Sequence, residues 1–114
     1  MPLLRIQTNA AVDNERRDAL LSRASQQVAE QLGKPERYVM VALESERDML
    51  FAGSGEPLAF LELKSIGLPE SATAELSRCL CALMTEQLGI EAGRVYIEFT
   101  DAPRRMWGWN AGTF

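Results

Sequence analysis

The sequence predicts an α+β fold (an α/β arrangement of duplicated β-α-β units) with a four-stranded mixed sheet and two helices on one face. Two echoes and one shared order carry this. Pro2-Leu3 opens an apolar stretch, and so does Pro57-Leu58, 55 positions later. Glu30-Gln31-Leu32-Gly33 returns as Glu86-Gln87-Leu88-Gly89, 56 positions later. Repeats at nearly one spacing, close to half the chain length, point to a duplicated unit. Each half then reads strand, helix, strand. The chain is therefore taken as one domain over residues 1–114, with pseudo-repeat halves at about 2–56 and 57–114. One core of this size buries roughly two-thirds of the unfolded chain's surface.

In the first half, Leu3 to Thr8 alternates loosely and predicts a strand. Asp13 is placed to cap the following helix, whose Leu20, Ala24, Val28 and Leu32 share one face at i+4 steps, with Leu21 beside them. Gly33 supplies a left-handed end and Pro35 prevents continuation. Tyr38 to Leu43 is apolar and partly β-branched, which predicts a buried strand. In the second half, Leu58 to Leu63 is a strand, and Pro69 sits where a first helical turn tolerates it. Ala72, Leu76, Leu80, Leu83 or Met84, and Leu88 form the apolar stripe that Gly89 ends, and Val95 to Phe99 closes the unit.

Strand–crossover–strand connections within one sheet are parallel and right-handed, so two such units place both helices on the same face. The other face is left bare, and no chain remains to cover it. Oligomerisation follows from the layers alone. The segments Met49-Leu50-Phe51 and Met106-Trp107, at matching places in each half, are read as extra edge strands for pairing between subunits.

Composition removes several functions. Sixteen acidic residues against twelve basic ones give a net charge of −4, which argues against nucleic acid as the partner. No apolar run approaches the roughly 20 residues of a membrane span, and the start MPLLRIQTNA lacks a signal-peptide pattern, so a cytoplasmic location is expected. Cys79 and Cys81 are two apart in a helix and point nearly opposite ways, so they cannot pair locally. There is no metal-ligand spacing and no histidine, so neither a metal nor another cofactor is expected, and His-based catalysis is excluded. An enzyme built on this chain needs another base.

Removal of Met1 would make Pro2 the amino terminus, a secondary amine at the start of a rigid strand. A Met-Pro start alone is weak evidence; what accompanies it decides. Gly33-Lys34-Pro35 with Tyr38 follows the first helix, and Lys64-Ser65-Ile66-Gly67 follows the third strand. Arg94-Val95-Tyr96-Ile97, then Gly108-Trp109-Asn110 with Thr113-Phe114, complete five ordered blocks. On these blocks the chain, from Pro2 to Phe114, resembles the macrophage migration inhibitory factor family of the tautomerase superfamily, as a member of bacterial type.

The resemblance implies a homotrimer with its pocket at the subunit interface, acting on phenylpyruvate-like aromatic 2-oxo acids by keto–enol tautomerisation. It casts Pro2 as the base that shuttles the proton and Lys34 as the partner of the substrate carboxylate. Ser65 and Ile66 match the segment whose Ile backbone N–H faces that carboxylate. Tyr96 matches a tyrosine donated by the neighbouring subunit, and Tyr38, Trp109 and Phe114 match aromatic lining. Glu98 stands where an asparagine is usual and Trp107 where a small aliphatic residue is usual, so both bear on specificity. Leu58-Ala59-Phe60-Leu61 replaces the CxxC of vertebrate members, which removes support for thiol oxidoreductase activity. The chemistry agrees: an apolar pocket and a nearby lysine both disfavour the ammonium and so lower the pKa of the base. An interaction or cytokine-mimic module stays open as an alternative, as does a silent scaffold, and the resemblance leaves non-classical secretion open. A hydratase or dehalogenase is another alternative, for which Glu98 and Arg37 are the acidic and basic candidates.

Overall fold

Strands β1 (Leu3–Thr8), β2 (Met40–Glu44), β3 (Ala59–Ile66) and β4 (Val95–Ala102) form one sheet in the order β2-β1-β3-β4, in a computed structural model that describes residues Met1–Phe114. β1 runs parallel to β2, β3 runs parallel to β4, and β1 and β3 meet antiparallel at the centre. The two crossovers carry helices α1 (Asn14–Leu32) and α2 (Thr73–Leu88), and each helix is followed by a short 3₁₀ turn before the second strand of its unit. No helix is long and apolar enough to cross a membrane.

Both helices pack on one face. Leu20, Ala24 and Val28 of α1 and Leu76, Leu80, Leu83, Met84 and Leu88 of α2 are buried against Leu4, Ile6, Leu61 and Leu63 of the central strands. Asp13 caps α1 by accepting the Arg16 N–H at 2.8 Å. The α1 end is a Schellman closure: Gly33 N–H donates to the Glu30 carbonyl at 3.3 Å and Lys34 N–H to the Ala29 carbonyl at 3.0 Å. Gly33 sits at φ 62°, in the left-handed region a side chain would strain. α2 closes on Gly89 in the same conformation.

Strand alternation puts Arg5, Gln7, Phe60, Glu62, Lys64, Tyr96 and Glu98 on the opposite face, which no helix covers. Arg5 bridges Glu44 at 2.9 Å and Glu62 at 3.8 Å, and Lys64 also approaches Glu62, at 3.7 Å. These pairs are largely solvated and add little stability.

Four details differ from the sequence expectations. Tyr38 lies in the 3₁₀ turn Glu36–Tyr38, and β2 begins only at Met40 because it follows that turn. β2 is not buried: it is an edge strand with one neighbour, and Met40 is 65% exposed. Pro69 precedes a 3₁₀ turn, Glu70–Ala72, so α2 itself starts at Thr73 and Ala72 is its cap. The expected edge segments are not sheet strands in the chain. Phe51 makes a single bridge to Ser54, Met106 ends the 3₁₀ turn Arg104–Met106, and the terminus folds as a small hairpin of β5 (Gly108–Trp109) with β6 (Gly112–Thr113). Turn geometry satisfies their backbone groups locally: Phe51 and Ser54 exchange N–H···O=C bonds at 3.0 Å, and Met106 N–H donates to the Pro103 carbonyl at 2.9 Å.

Candidate active site

The topology gathers four strand ends in one place. β1 and β2 begin there and β3 and β4 finish there, because each pair is parallel and the pairs meet antiparallel. Pro2 heads the central strand and is buried, and its carbonyl accepts the Met40 N–H at 3.0 Å. Carried one step past the Leu3–Lys64 pair, the antiparallel register sets Pro2 opposite Ser65.

Lys34 reaches this end from the α1 closure. Its N–H is spent on Ala29, which fixes where the side chain departs, and its ammonium forms no ion pair. On the far side, Ile66 ends β3 and the chain turns at Gly67, whose φ of 73° only glycine adopts freely. Asp101 of β4 holds that turn by accepting both Gly67 N–H at 2.9 Å and Leu68 N–H at 3.0 Å.

Aromatic rings wall the opening. Tyr38 meets Trp109 edge-on at 5.8 Å and Phe114 edge-on at 6.1 Å, and Trp109 stacks on Phe114 at 5.2 Å. Phe114 N–H donates to the Trp107 carbonyl at 3.2 Å, tying the terminus back over the site. Two adjoining cavities result. One, of about 140 Å³, is lined by Lys34, Ile66 and Arg104 among others; the other, of about 410 Å³, by Pro2, Tyr38, Trp107 and Trp109 among others. Met1 and Phe114 border both.

The electrostatics suit a neutral amine. Burial, then the Lys34 cation, then the Arg104 cation hold the Met1 amine below its ordinary range. Arg104 was not among the residues expected from sequence. Its signal is the basic pair Arg104-Arg105 immediately ahead of the terminal aromatic block. Arg37, the arginine that was expected, lines the cavity that Pro2 borders and lies over the Tyr38 ring at 4.8 Å.

The remaining expected residues lie elsewhere. Ser65 is fully buried on the helix side of the sheet, with its hydroxyl at 3.4 Å from the Ile66 carbonyl, so only its backbone can face the site. Tyr96 is at the other end and Glu98 midway along β4, both on the open face. Tyr96 lines an apolar cavity of about 270 Å³ with Leu50, Phe51 and Phe60, and its ring sits 4.6 Å from that of Phe51. Glu98 is opposite Glu62 in the strand register. The run of β4 from Tyr96 to Ala102 spans about 20 Å at roughly 3.3 Å per residue, so no chain brings Tyr96 to its own Pro2.

A duplicated β-α-β sheet with a proline at the head of its central strand is the tautomerase fold. The family model described as Macrophage migration inhibitory factor (MIF) matches residues 1–114, and the chain belongs to that family. The macrophage migration inhibitory factor of Xenopus laevis is 36% identical over 115 residues, covering 100% of this chain and 99% of the relative. The homolog from Brugia malayi is 38% identical over 116 residues, with the same coverage. Among solved structures, the homologue from Prochlorococcus marinus superposes with a TM-score of 0.94 at 44% identity over 98% of each chain. The Toxoplasma gondii protein gives 0.92 at 35% identity, over 98% of this chain and 99% of its own. Proteins of this family are tautomerase-superfamily isomerases that form homo-oligomers.

Proposed function

We propose that the chain is a keto–enol tautomerase for phenylpyruvate-like aromatic 2-oxo acids, with the Pro2 nitrogen, freed by loss of Met1, as general base and acid. The observation that carries this is the coincidence at one sheet end of a buried proline, an unpaired lysine and a wall of three aromatic rings. Pro2 is itself buried and lines the cavity adjoining the one that holds Lys34 and Arg104. Burial and nearby cations lower the pKa of such an amine, which favours the free lone pair a base needs. The amine takes a proton from the carbon beside the keto group and returns it to the enol oxygen, or runs the reverse. Lys34 pairs with the carboxylate, the Ile66 backbone supports it, and Tyr38, Trp109 and Phe114 receive the aromatic ring with Trp107 at the rim.

The expected pH profile follows from the sign of the shift. A base with a depressed pKa is active once pH rises above that value, so kcat/KM should climb through an apparent pKa below the ordinary α-amine value of about 8. Absorbance assays of phenylpyruvate turnover check this. A profile that rises only above pH 8 would overturn the assignment of Pro2.

The active form in this reading is a homotrimer, with helices outside and the open sheet faces lining a channel. Large apolar side chains are bare at both sheet ends: Met40 and Trp109 near Pro2, and Leu50, 72% exposed, with Tyr96 at the other. Two different patches at opposite ends favour a head-to-tail contact, the kind from which a closed ring is built. That contact brings Tyr96 and Glu98 of one subunit to Pro2 of the next. Sedimentation equilibrium should give three times the 12.7 kDa chain mass; a stable monomer that turns over substrate would overturn the shared pocket.

A further inference from the structure

The cavity beside the amine is lined by two cationic side chains and no acidic one. Lys34 and Arg104 both line it, and neither forms an ion pair anywhere in the chain. The nearest acid along the strand that leads to Arg104 is Asp101, and one of its oxygens already accepts two backbone N–H groups. Glu36, in the turn after Lys34, makes no ion pair with either cation. Arg104 opens the 3₁₀ turn directly after Pro103, two residues past the Ile66–Ala102 pair, so the end of the sheet delivers it to this cavity.

Two unpaired cations lining one space are a mismatch for a single negative charge. A 2-oxo acid carries one such charge in its keto form and two in its enolate. We propose that Arg104 is a second substrate-binding residue, forming with Lys34 a two-cation cradle that selects the dianionic enolate over the monoanionic keto acid. The inference rests on the tautomerase reading for its substrate class. In the step, the amine lone pair takes the C3 proton and becomes an ammonium. The C–H electron pair forms the C2–C3 double bond, and the C=O pair moves onto O2. Lys34 holds the carboxylate while the Arg104 guanidinium donates to O2. The ammonium then returns its proton to O2 and the enol leaves. Charge that develops only in the transition state makes the second cation act on rate more than on ground-state binding.

The test uses protein confirmed by intact mass to begin at Pro2. Oxalate, a planar dianion with the O–C–C–O arrangement of the enolate, and phenylacetate, a monoanion, are titrated by calorimetry. Arg104→Gln should weaken oxalate at least about tenfold, the size of a lost charge-assisted hydrogen bond, and phenylacetate by less than about threefold. Arg104→Lys should recover part of the oxalate affinity. In phenylpyruvate turnover, Arg104→Gln should lower kcat with little change in KM. Unchanged oxalate affinity in Arg104→Gln, or an equal loss for both probes, would overturn the cradle. If the wild-type protein binds oxalate through Arg104 but turns over no 2-oxo acid, the function falls and the cradle stands. If it turns over phenylpyruvate and Arg104→Gln matches it in kcat and in oxalate affinity, the reverse holds.

Discussion

Protein with one extra residue retained ahead of Pro2 should tautomerise phenylpyruvate at least about 10³-fold more slowly than protein that begins at Pro2, within the range general acid–base catalysis supplies. An acylated proline nitrogen is an amide whose lone pair is delocalised, so it cannot take a proton. A retained residue also obstructs the site, since Met1 borders both cavities at this end of the sheet. Pro2→Gly separates the two effects. It keeps a free amine and an open cavity but adds backbone freedom at the base, so it should retain more activity than the extended form and less than the parent. Circular dichroism and sedimentation should be the same in all three. Extended protein within tenfold of the processed rate would refute the assignment of the base.

A large stability effect is expected at Arg94, far from the amine. Its guanidinium gathers the loop before β3: Nε donates to the Pro57 carbonyl at 3.0 Å, Nη1 to Phe51 at 3.2 Å, and Nη2 to both Ser54 and Glu56 at 3.0 Å. The same group lies over the Phe51 ring at 5.3 Å, and that ring packs on Tyr96. Four carbonyls converge on one planar fork. A lysine ammonium, a single point with three donors, cannot span them. The carbonyls are partly solvated and water replaces some of what is lost, so Arg94→Lys should cost about 2–3 kcal/mol and Arg94→Met slightly more. Thermal unfolding at fixed protein concentration should show a fall of roughly 8–15 °C. A change under about 0.5 kcal/mol in Arg94→Lys would mean that the loop holds itself.

Arg94 and Arg104 mark the limit of what was legible in the sequence. Helical periodicity and the two Glu-Gln-Leu-Gly strings were enough to place both helices and their C-terminal ends, because i+4 spacing and a terminal glycine are local signals. β1 was readable to the residue for the same reason. Strand alternation tells which residues share a face but not what the far end of that face meets. Tyr96 and Ser65 therefore sat in plausible motifs while their positions in space stayed hidden. Ser65 follows Leu61 and Leu63 inward by simple alternation, a fact the motif obscured. The segments at Met49–Phe51 and Met106–Trp107 were read as strands because their apolar runs match. Whether such a run becomes a strand or a turn depends on an available edge, which no local pattern encodes. Arg104 became a site residue only when a 3₁₀ turn aimed it past the end of β4.

The two helix ends carry a lesson about how such a protein can change. Both stop on a left-handed glycine, Gly33 and Gly89, and the next residue is Lys34 in one copy and Ile90 in the other. Ile90 is fully buried in the core, whereas Lys34 faces the cavity. The α1 closure is made by main-chain groups alone, so it places no demand on the side chain that follows, whereas at the end of α2 the Thr85 hydroxyl also donates to the Ile90 carbonyl at 2.7 Å. Position 34 is thus free to drift in charge and length at almost no cost to folding, while position 90 is held by packing. A duplicated ancestor would leave one copy as ballast for the fold and release the other for exploration. New substrates could then be acquired at Lys34 by single substitutions, with the scaffold beneath it indifferent to the outcome.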